Sequence, residues 1–243
     1  MSIEIITGGM MCGKSEEVLR RAKRGRIAGL AVQIFTPDID RRLAEGNIAS
    51  RDERRDKCTV VPAENAEYIL SLLDDGTGMV VIDEAQFFRP RYELIEHKGQ
   101  QLLVESYPIV DVVQTMADRG VQVLIAGLDM DSDRKPFGPM PYLMAIATEV
   151  SKMNAVCENC AADAEYSFAN FAKSEQIVVG DSEYLSLCRL CYLAFSTVSD
   201  GNGKILKEIL ETIFADKKQE KKPEQKQEKK PALGKIIPFK RKE

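Results

Sequence analysis

Histidine is nearly absent from this 243-residue chain: His97 is the only one. A zinc-protease H-E-x-x-H needs two imidazoles, and Ser-His-Asp or Cys-His catalysis would have to use His97 alone, so all three chemistries are disfavoured. His97 itself reads as a surface residue with no role. Missing as well is any apolar run of transmembrane length, and no signal peptide precedes the first apolar run, Ile3-Glu4-Ile5-Ile6. The expectation is a soluble cytoplasmic protein. A strand platform of interleaved aromatic and basic residues, which a single-strand nucleic-acid binder would use, is not evident. Nor is the chain basic as a whole. Residues 216–243 hold 11 Lys/Arg against 5 Asp/Glu, a charge of +6, which leaves −10 on residues 1–215 of a total of −4. An acidic body argues against salt-sensitive duplex binding as the main task.

What is present begins at residue 8. Gly8-Gly9-Met10-Met11-Cys12-Gly13-Lys14-Ser15 spells G-x-x-x-x-G-K-S directly after the apolar run, a pattern expected by chance roughly once in a hundred chains of this length. Gly8 and Gly13 allow backbone conformations closed to other residues, so successive N–H groups can turn toward phosphate oxygens. Lys14 adds a point charge toward the β/γ-phosphates, and Ser15 offers a hydroxyl to Mg²⁺. Residues 16–28 read as a helix with Val18, Leu19, Ala22 and Ile27 apolar, its dipole aimed at the anion. Arg20, Arg21, Lys23, Arg24 and Arg26 read as its solvated face, with a nucleic-acid patch as the alternative.

Six cysteines stand at 12, 58, 157, 160, 188 and 191. The last four form two C-x₂-C pairs, the spacing of a closed tetrahedral zinc site that leaves no position for a reacting water, hence a structural metal. Disulfides are the alternative, but nothing indicates secretion. Cys12 reads as a small filler in the phosphate loop, oxidisable if exposed, and Cys58 as the start of a strand.

Elsewhere strands and helices alternate. Strands are predicted at 31–35, 58–61, 79–83 and 121–126, helices at 63–74 and 110–119, and a charge-dense loop at 38–57. This is an α/β pattern with a parallel sheet that binds ligands at the carboxyl ends of its strands. Asp83 closes the strand Met79-Val80-Val81-Ile82 and is placed to help Ser15 hold Mg²⁺. Glu84 follows as a candidate general base. An acid pair at a strand end can also merely solvate a turn.

Five segments together, GGMMCGKSEE (8–17), VIDEAQFF (81–88), AGLDMD (126–131), KPFG (135–138) and CRLCY (188–192), resemble the zinc-containing thymidine kinases in order and approximate spacing, over about residues 2–195. The resemblance implies a RecA-like phosphate-loop sheet with a small structural-zinc lasso domain. It also implies ATP-dependent phosphorylation of the 5′-hydroxyl of thymidine or deoxyuridine with Mg²⁺, and commonly a homotetramer. It places the general base on Glu84. ATP would be held by Gly8, Gly9, Met10, Met11, Cys12, Gly13, Lys14, Ser15, Asp83, Glu84, Ala85 and Gln86. Asp40 and Arg42 match a family loop that reaches the phosphates or the deoxyribose. Met10, Gln86, Phe87, Leu128, Phe137 and Ser167 would surround the nucleoside, with Val178, Gly180 and Tyr184 in a lid that reads the base through backbone groups. Zinc would take Cys157, Cys160, Cys188 and Cys191.

The chain departs from that family at four places. Gly9 stands where proline is usual, Ser132 where an aromatic residue follows LDMD, and Ala169 or Asn170 where a basic residue is typical. Residues 89–108 read as an insertion, a surface decoration or an oligomer contact.

The expected organisation is a kinase domain over 1–152, a zinc lasso over 153–199, a helix over 200–215 with Ile205, Ile209, Leu210 and Ile213 on one face, and a disordered basic tail over 216–243. Two other functions compete with nucleoside phosphorylation: an ATP-driven nucleic-acid binder with a zinc ribbon, and a non-catalytic nucleotide sensor.

Overall fold

The computed structural model describes residues 2–38, 47–49, 55–98, 100–169 and 184–199. In chain order the elements are β1 (Ile3–Gly8), α1 (Lys14–Ile27), β2 (Ala31–Pro37), β3 (Asn47–Ala49), β4 (Arg55–Lys57), β5 (Thr59–Val61), α2 (Tyr68–Ser71), β6 (Thr77–Ile82), β7 (Arg91–His97), β8 (Gln100–Ser106), α3 (Pro108–Asp118), β9 (Gln122–Gly127), α4 (Met140–Ile146), β10 (Glu149–Met153), β11 (Ala155–Val156), β12 (Asp163–Ala164), β13 (Tyr166–Ala169), β14 (Tyr184–Leu187) and α5 (Arg189–Ser199). The helix expected over 200–215 and the tail over 216–243 lie outside the described residues.

Six strands form one sheet in the order β10-β1-β9-β6-β2-β5, every neighbour pair parallel. This is the expected phosphate-loop α/β sheet. The central strands β6 and β9 carry near-continuous apolar runs, Met79–Ile82 and Val123–Ala126, because both faces of the sheet are covered there. Ile6, Ile34, Val81, Leu124 and Ala126 pack under Val18, Leu19 and Ala22 of α1. Ile5, Phe35, Val80, Ile82 and Ile125 pack on the other face with Ile109, Val112 and Met116 of α3 and with Met140 and Leu143. The parallel registers bring β1, β9 and β6 to a common carboxyl edge, where Thr7 stands opposite Gly127 and Ile82 opposite Ile125. The buried Thr7 hydroxyl donates to the Gly127 carbonyl at 2.9 Å, which ties β1 to β9 at the point where both strands end.

Four expectations change. Ile27 is 77% exposed rather than on the packed face. Gly25 takes that place, because α1 lies so close to the sheet that a Cβ there would sit 2.6 Å from Met79 Sδ. Arg21 is not solvated: its guanidinium pairs with Glu4 at 2.7 Å and Glu17 at 2.8 Å and donates to Ser151 at 2.8 Å, joining α1 to β1 and β10. The helix expected over 63–74 shrinks to the single turn of α2. Before and through it the backbone makes i→i+3 bonds, from Asn65 N–H to Pro62 and from Tyr68 N–H to Asn65, while the Ala63 N–H is taken by the Asp38 carboxylate. Within the expected loop 38–57, β3 and β4 pair antiparallel.

The insertion at 89–108 is a two-stranded antiparallel ribbon, β7 with β8, in seven residue pairs. After β10 the chain builds a smaller unit from two strand pairs, β11-β12 and β13-β14, followed by α5.

Candidate active site

The phosphate loop connects β1 to α1 and owes its shape to local backbone demands. Gly8 has φ 135°, and a Cβ there would lie 2.1 Å from the Met153 carbonyl oxygen, so only glycine lets β10 pass. Met11 and Gly13 also adopt positive φ, 64° and 85°. Gly13 caps α1, which places Lys14 and Ser15 in its first turn with that turn's N–H groups facing the loop. Lys14 Nζ donates to the carbonyls of Gly9 at 2.7 Å and Gly8 at 3.2 Å. Cys12 is buried at 7% exposure among the apolar side chains of the smaller unit, which bears out the filler role.

At the end of β6, Asp83 is buried and its N–H is fixed by the Phe35 carbonyl at 2.9 Å. Glu84 adopts φ 53° and ψ 36°, a left-handed conformation that costs a side-chain-bearing residue free energy and turns the chain sharply away from the strand. A 3₁₀ turn over Ala85–Phe87 follows. Ala85 faces the core, and Gln86 is 2% exposed. Its Nε2 donates to the Glu84 carboxylate at 2.6 Å, and its Oε1 accepts the Leu128 N–H at 3.0 Å. The amide therefore spans β6 and β9 and holds the Glu84 side chain in one place. Gly138, at φ 50°, admits the Gln86 backbone, whose carbonyl oxygen would lie 2.2 Å from a Cβ there. Phe137 stands edge-on to Phe87 with ring centres 5.7 Å apart. Gln86, Phe87, Leu128 and Phe137 are thus brought together beside Glu84.

The donor set at the carboxyl edge suits a hard cation: the Ser15 hydroxyl and the Asp83 carboxylate are oxygen ligands. Thr36, one step beyond the Phe35–Ile82 pair of β2 and β6, adds a fully buried hydroxyl with no protein hydrogen-bond partner among the described residues. By strand alternation it shares the α1 face with Ile34.

The four sulfurs of Cys157, Cys160, Cys188 and Cys191 all lie within 4.8 Å of one another, and Cys160 Sγ is 3.7 Å from Cys188 Sγ. A ZnS₄ tetrahedron with bonds of about 2.3 Å has sulfur-sulfur edges of about 3.8 Å, so the cluster fits zinc. Asn159 Nδ2 donates to Cys191 Sγ at 3.2 Å, a contact that would orient a ligand. Burial opposes ionisation of the Cys157 thiol, but backbone donors from Cys188, Cys160 and Asn159 outweigh it and bring that thiol down to about 7. Burial pushes Cys191 and Cys160 up. Without a cation among them the four thiols cannot all ionise.

This unit grips the phosphate loop. The Met10 N–H donates to Ser167 Oγ at 2.8 Å, and the Ser186 hydroxyl donates to the Met10 carbonyl at 3.1 Å. Ser167 and Ser186 are direct cross-strand partners on β13 and β14, so one strand pair holds both polar groups of a single loop residue. Met11 and Cys12 share an apolar cluster with Cys157, Tyr166, Leu187, Cys191 and Tyr192. Tyr192 Oη donates to the Ser132 carbonyl at 2.7 Å, and its ring lies under the Arg134 guanidinium and against Tyr166 and Phe168. Ser167, expected beside a base, touches the loop backbone; Tyr184 begins β14 opposite Ala169. Asp40, Arg42, Val178 and Gly180 lie outside the described residues.

Sequence reasoning missed Ser186, Asn159, Thr36, Tyr192 and the 2.6 Å ion pair of Lys152 with the buried Asp129. Of these only Asp129 and Tyr192 carried a signal, since both fall inside the segments AGLDMD and CRLCY.

Comparison with known proteins agrees with this geometry. The family pattern described as thymidine kinase matches residues 1–192. A thymidine kinase of Porphyromonas gingivalis is 45% identical over 192 residues, 79% of this chain and 84% of that protein. One from Bacteroides fragilis is 41% identical over 191 residues, 78% of this chain and 86% of its own length. One from Bdellovibrio bacteriovorus is 40% identical over 188 residues, 77% and 83% of the two chains. With a phosphate loop and an acid pair at the carboxyl edge of one sheet, a four-cysteine cluster in the smaller unit that packs on that loop, and relatives matched over most of their length, the chain belongs to the thymidine kinase family.

Proposed function

We propose that this chain transfers the γ-phosphoryl group of ATP to the 5′-hydroxyl of thymidine or deoxyuridine, releasing ADP and the nucleoside monophosphate for DNA synthesis. The observation that carries this reading is the buried Gln86 amide bonded to Glu84 on one side and Leu128 on the other. It orients a carboxylate beside the Phe87–Phe137 ring pair, at the same sheet edge as the phosphate loop. Glu84 takes the hydroxyl proton as the new oxygen-phosphorus bond forms and the bond to ADP breaks. Lys14, released from the Gly8 and Gly9 carbonyls, turns its charge to the transferring phosphoryl, and the first-turn N–H groups of α1 hold the phosphates. Ser15 and Asp83 would hold Mg²⁺, which would supply charge neutralisation at the phosphates.

Residues 1–152 act as the kinase domain and 153–199 as a zinc-held lid, with Val178, Gly180 and Tyr184 closing on the base, Ser167 beside it on the Met10 loop residue, and Asp40 and Arg42 reaching the phosphates or the sugar. Zinc is structural, since its four thiolates close the coordination sphere. Tyr192, bonded to Ser132, brings an aromatic ring to the segment where the family pattern has one of its own. Among the described residues no helix is long and apolar enough to cross a membrane; the working place is the cytoplasm and the assembly a homotetramer.

The test is transfer of ³²P from ATP to a panel of thymidine, deoxyuridine, deoxycytidine and purine nucleosides. Labelled thymidine or deoxyuridine monophosphate is the expected product. ATP hydrolysis stimulated by DNA with no labelled nucleotide would replace this reading with the nucleic-acid one.

A further inference from the structure

We infer that the ribbon of β7 and β8 is an association arm whose β8 edge pairs antiparallel, about a two-fold axis at Leu103, with β8 of a second copy of this chain. All fourteen strand residues are exposed. By strand alternation and register, Tyr92, Leu94 and Leu103 share one face and Ile95, Leu102 and Val104 the other. An isolated two-stranded ribbon is marginal in water, and one that is apolar on both faces is worse off still. Joining two ribbons makes four strands, past the number at which a small sheet holds itself together.

The two edges of the ribbon differ in a way that selects the partner. Each is open among the described residues, where β7 and β8 form a sheet of two strands. The β7 edge carries Arg91, Glu93, Glu96 and His97, with Arg91 tied back to Glu67 at 2.6 Å; charges of this density are what proteins use to block edge pairing. β8 reads Gln100-Gln101-Leu102-Leu103-Val104-Glu105-Ser106 with a single charge and neither proline nor glycine. It is an unguarded edge.

That sequence is complementary to itself in one register. Antiparallel pairing centred on Leu103 sets Leu103 opposite Leu103, Leu102 opposite Val104, Gln101 opposite Glu105 and Gln100 opposite Ser106. Apolar meets apolar, an amide donor meets a carboxylate, and no like charges are opposed. Centring on Leu102 or Val104 instead sets Leu103 against Gln101 or Glu105. A self-complementary patch is what a closed two-fold contact requires. The inference rests on the ribbon alone and not on the reaction proposed above.

Particle mass and cross-linking of the full chain test it. Leu103→Lys places two ammonium groups on the axis and should halve the mass measured by light scattering, with zinc content unchanged. Leu103→Cys should give a disulfide-linked dimer on mild oxidation, because directly opposed Cα atoms are about 4.5–5.5 Å apart. Leu94→Cys, on the far strand of the same face, should not, its mate being roughly 14 Å away across three strand spacings. A wild-type chain that is monomeric at micromolar concentration, a Leu103→Lys variant of wild-type mass, or equal cross-linking through Leu94→Cys would each overturn the assignment.

Discussion

At the scale of single residues, the site turns on how one carboxylate is held. Glu84 sits in a left-handed backbone conformation and is fixed by a buried amide, so both its position and its exposure are set before any ligand arrives. If it is the base, Glu84→Gln keeps the shape, removes the proton acceptor and should lower kcat by about 10²–10⁴. ATP affinity, measured by calorimetry, should stay near the wild-type value. Gln86 is a positioning residue, and its role has a signature that a merely structural role lacks. Gln86→Leu removes both the bond to the Glu84 carboxylate and the bond from the Leu128 N–H and should lower kcat severalfold while ATP affinity stays near the wild-type value. An unchanged kcat with a lowered thermal midpoint would mark Gln86 as packing alone.

At the scale of elements, what could be read from the sequence was whatever a motif of contiguous residues encodes. The phosphate loop needs its two glycines at fixed separation, and zinc needs two short cysteine pairs, so both were legible. Asp83 was legible because a buried apolar strand ended on it. The grip on Met10 was not, since it depends on two serines nineteen positions apart, Ser167 and Ser186, becoming cross-strand neighbours; pairing register is a tertiary property. Arg21 misled for the same reason, its partners Glu4 and Ser151 lying on other elements. Ile27 shows the limit of helical periodicity, which could not register that α1 turns Gly25, and not Ile27, toward Met79 of the sheet.

Two experiments address the coupling between elements. Cys157→Ser removes one of four thiolates and should lower both the zinc content measured by metal analysis and the nucleoside affinity. Ser186→Ala deletes one neutral hydrogen bond to the loop, worth about 1 kcal/mol, and should weaken ATP binding by roughly fivefold with zinc retained. Full ATP affinity in that variant would show that the loop keeps its shape without help from β14.

At the scale of the whole molecule, the order of strands in space departs from their order in the chain. β1, the first strand made, lies inside the sheet between β9 and β10, whose residues come more than a hundred positions later. The loop that follows β1 is shaped by contacts from the same late residues: Met153 against Gly8, Gly127 against Thr7, Ser167 and Ser186 against Met10. During synthesis the opening octet therefore leaves the ribosome long before anything exists to fold it. Contacts this distant close slowly, and the exposed strand must wait unpaired. Nascent chains stalled at residue 120 should fail to bind an immobilised ATP analogue, and chains released after residue 199 should bind it. The nucleotide site, encoded first, is completed last.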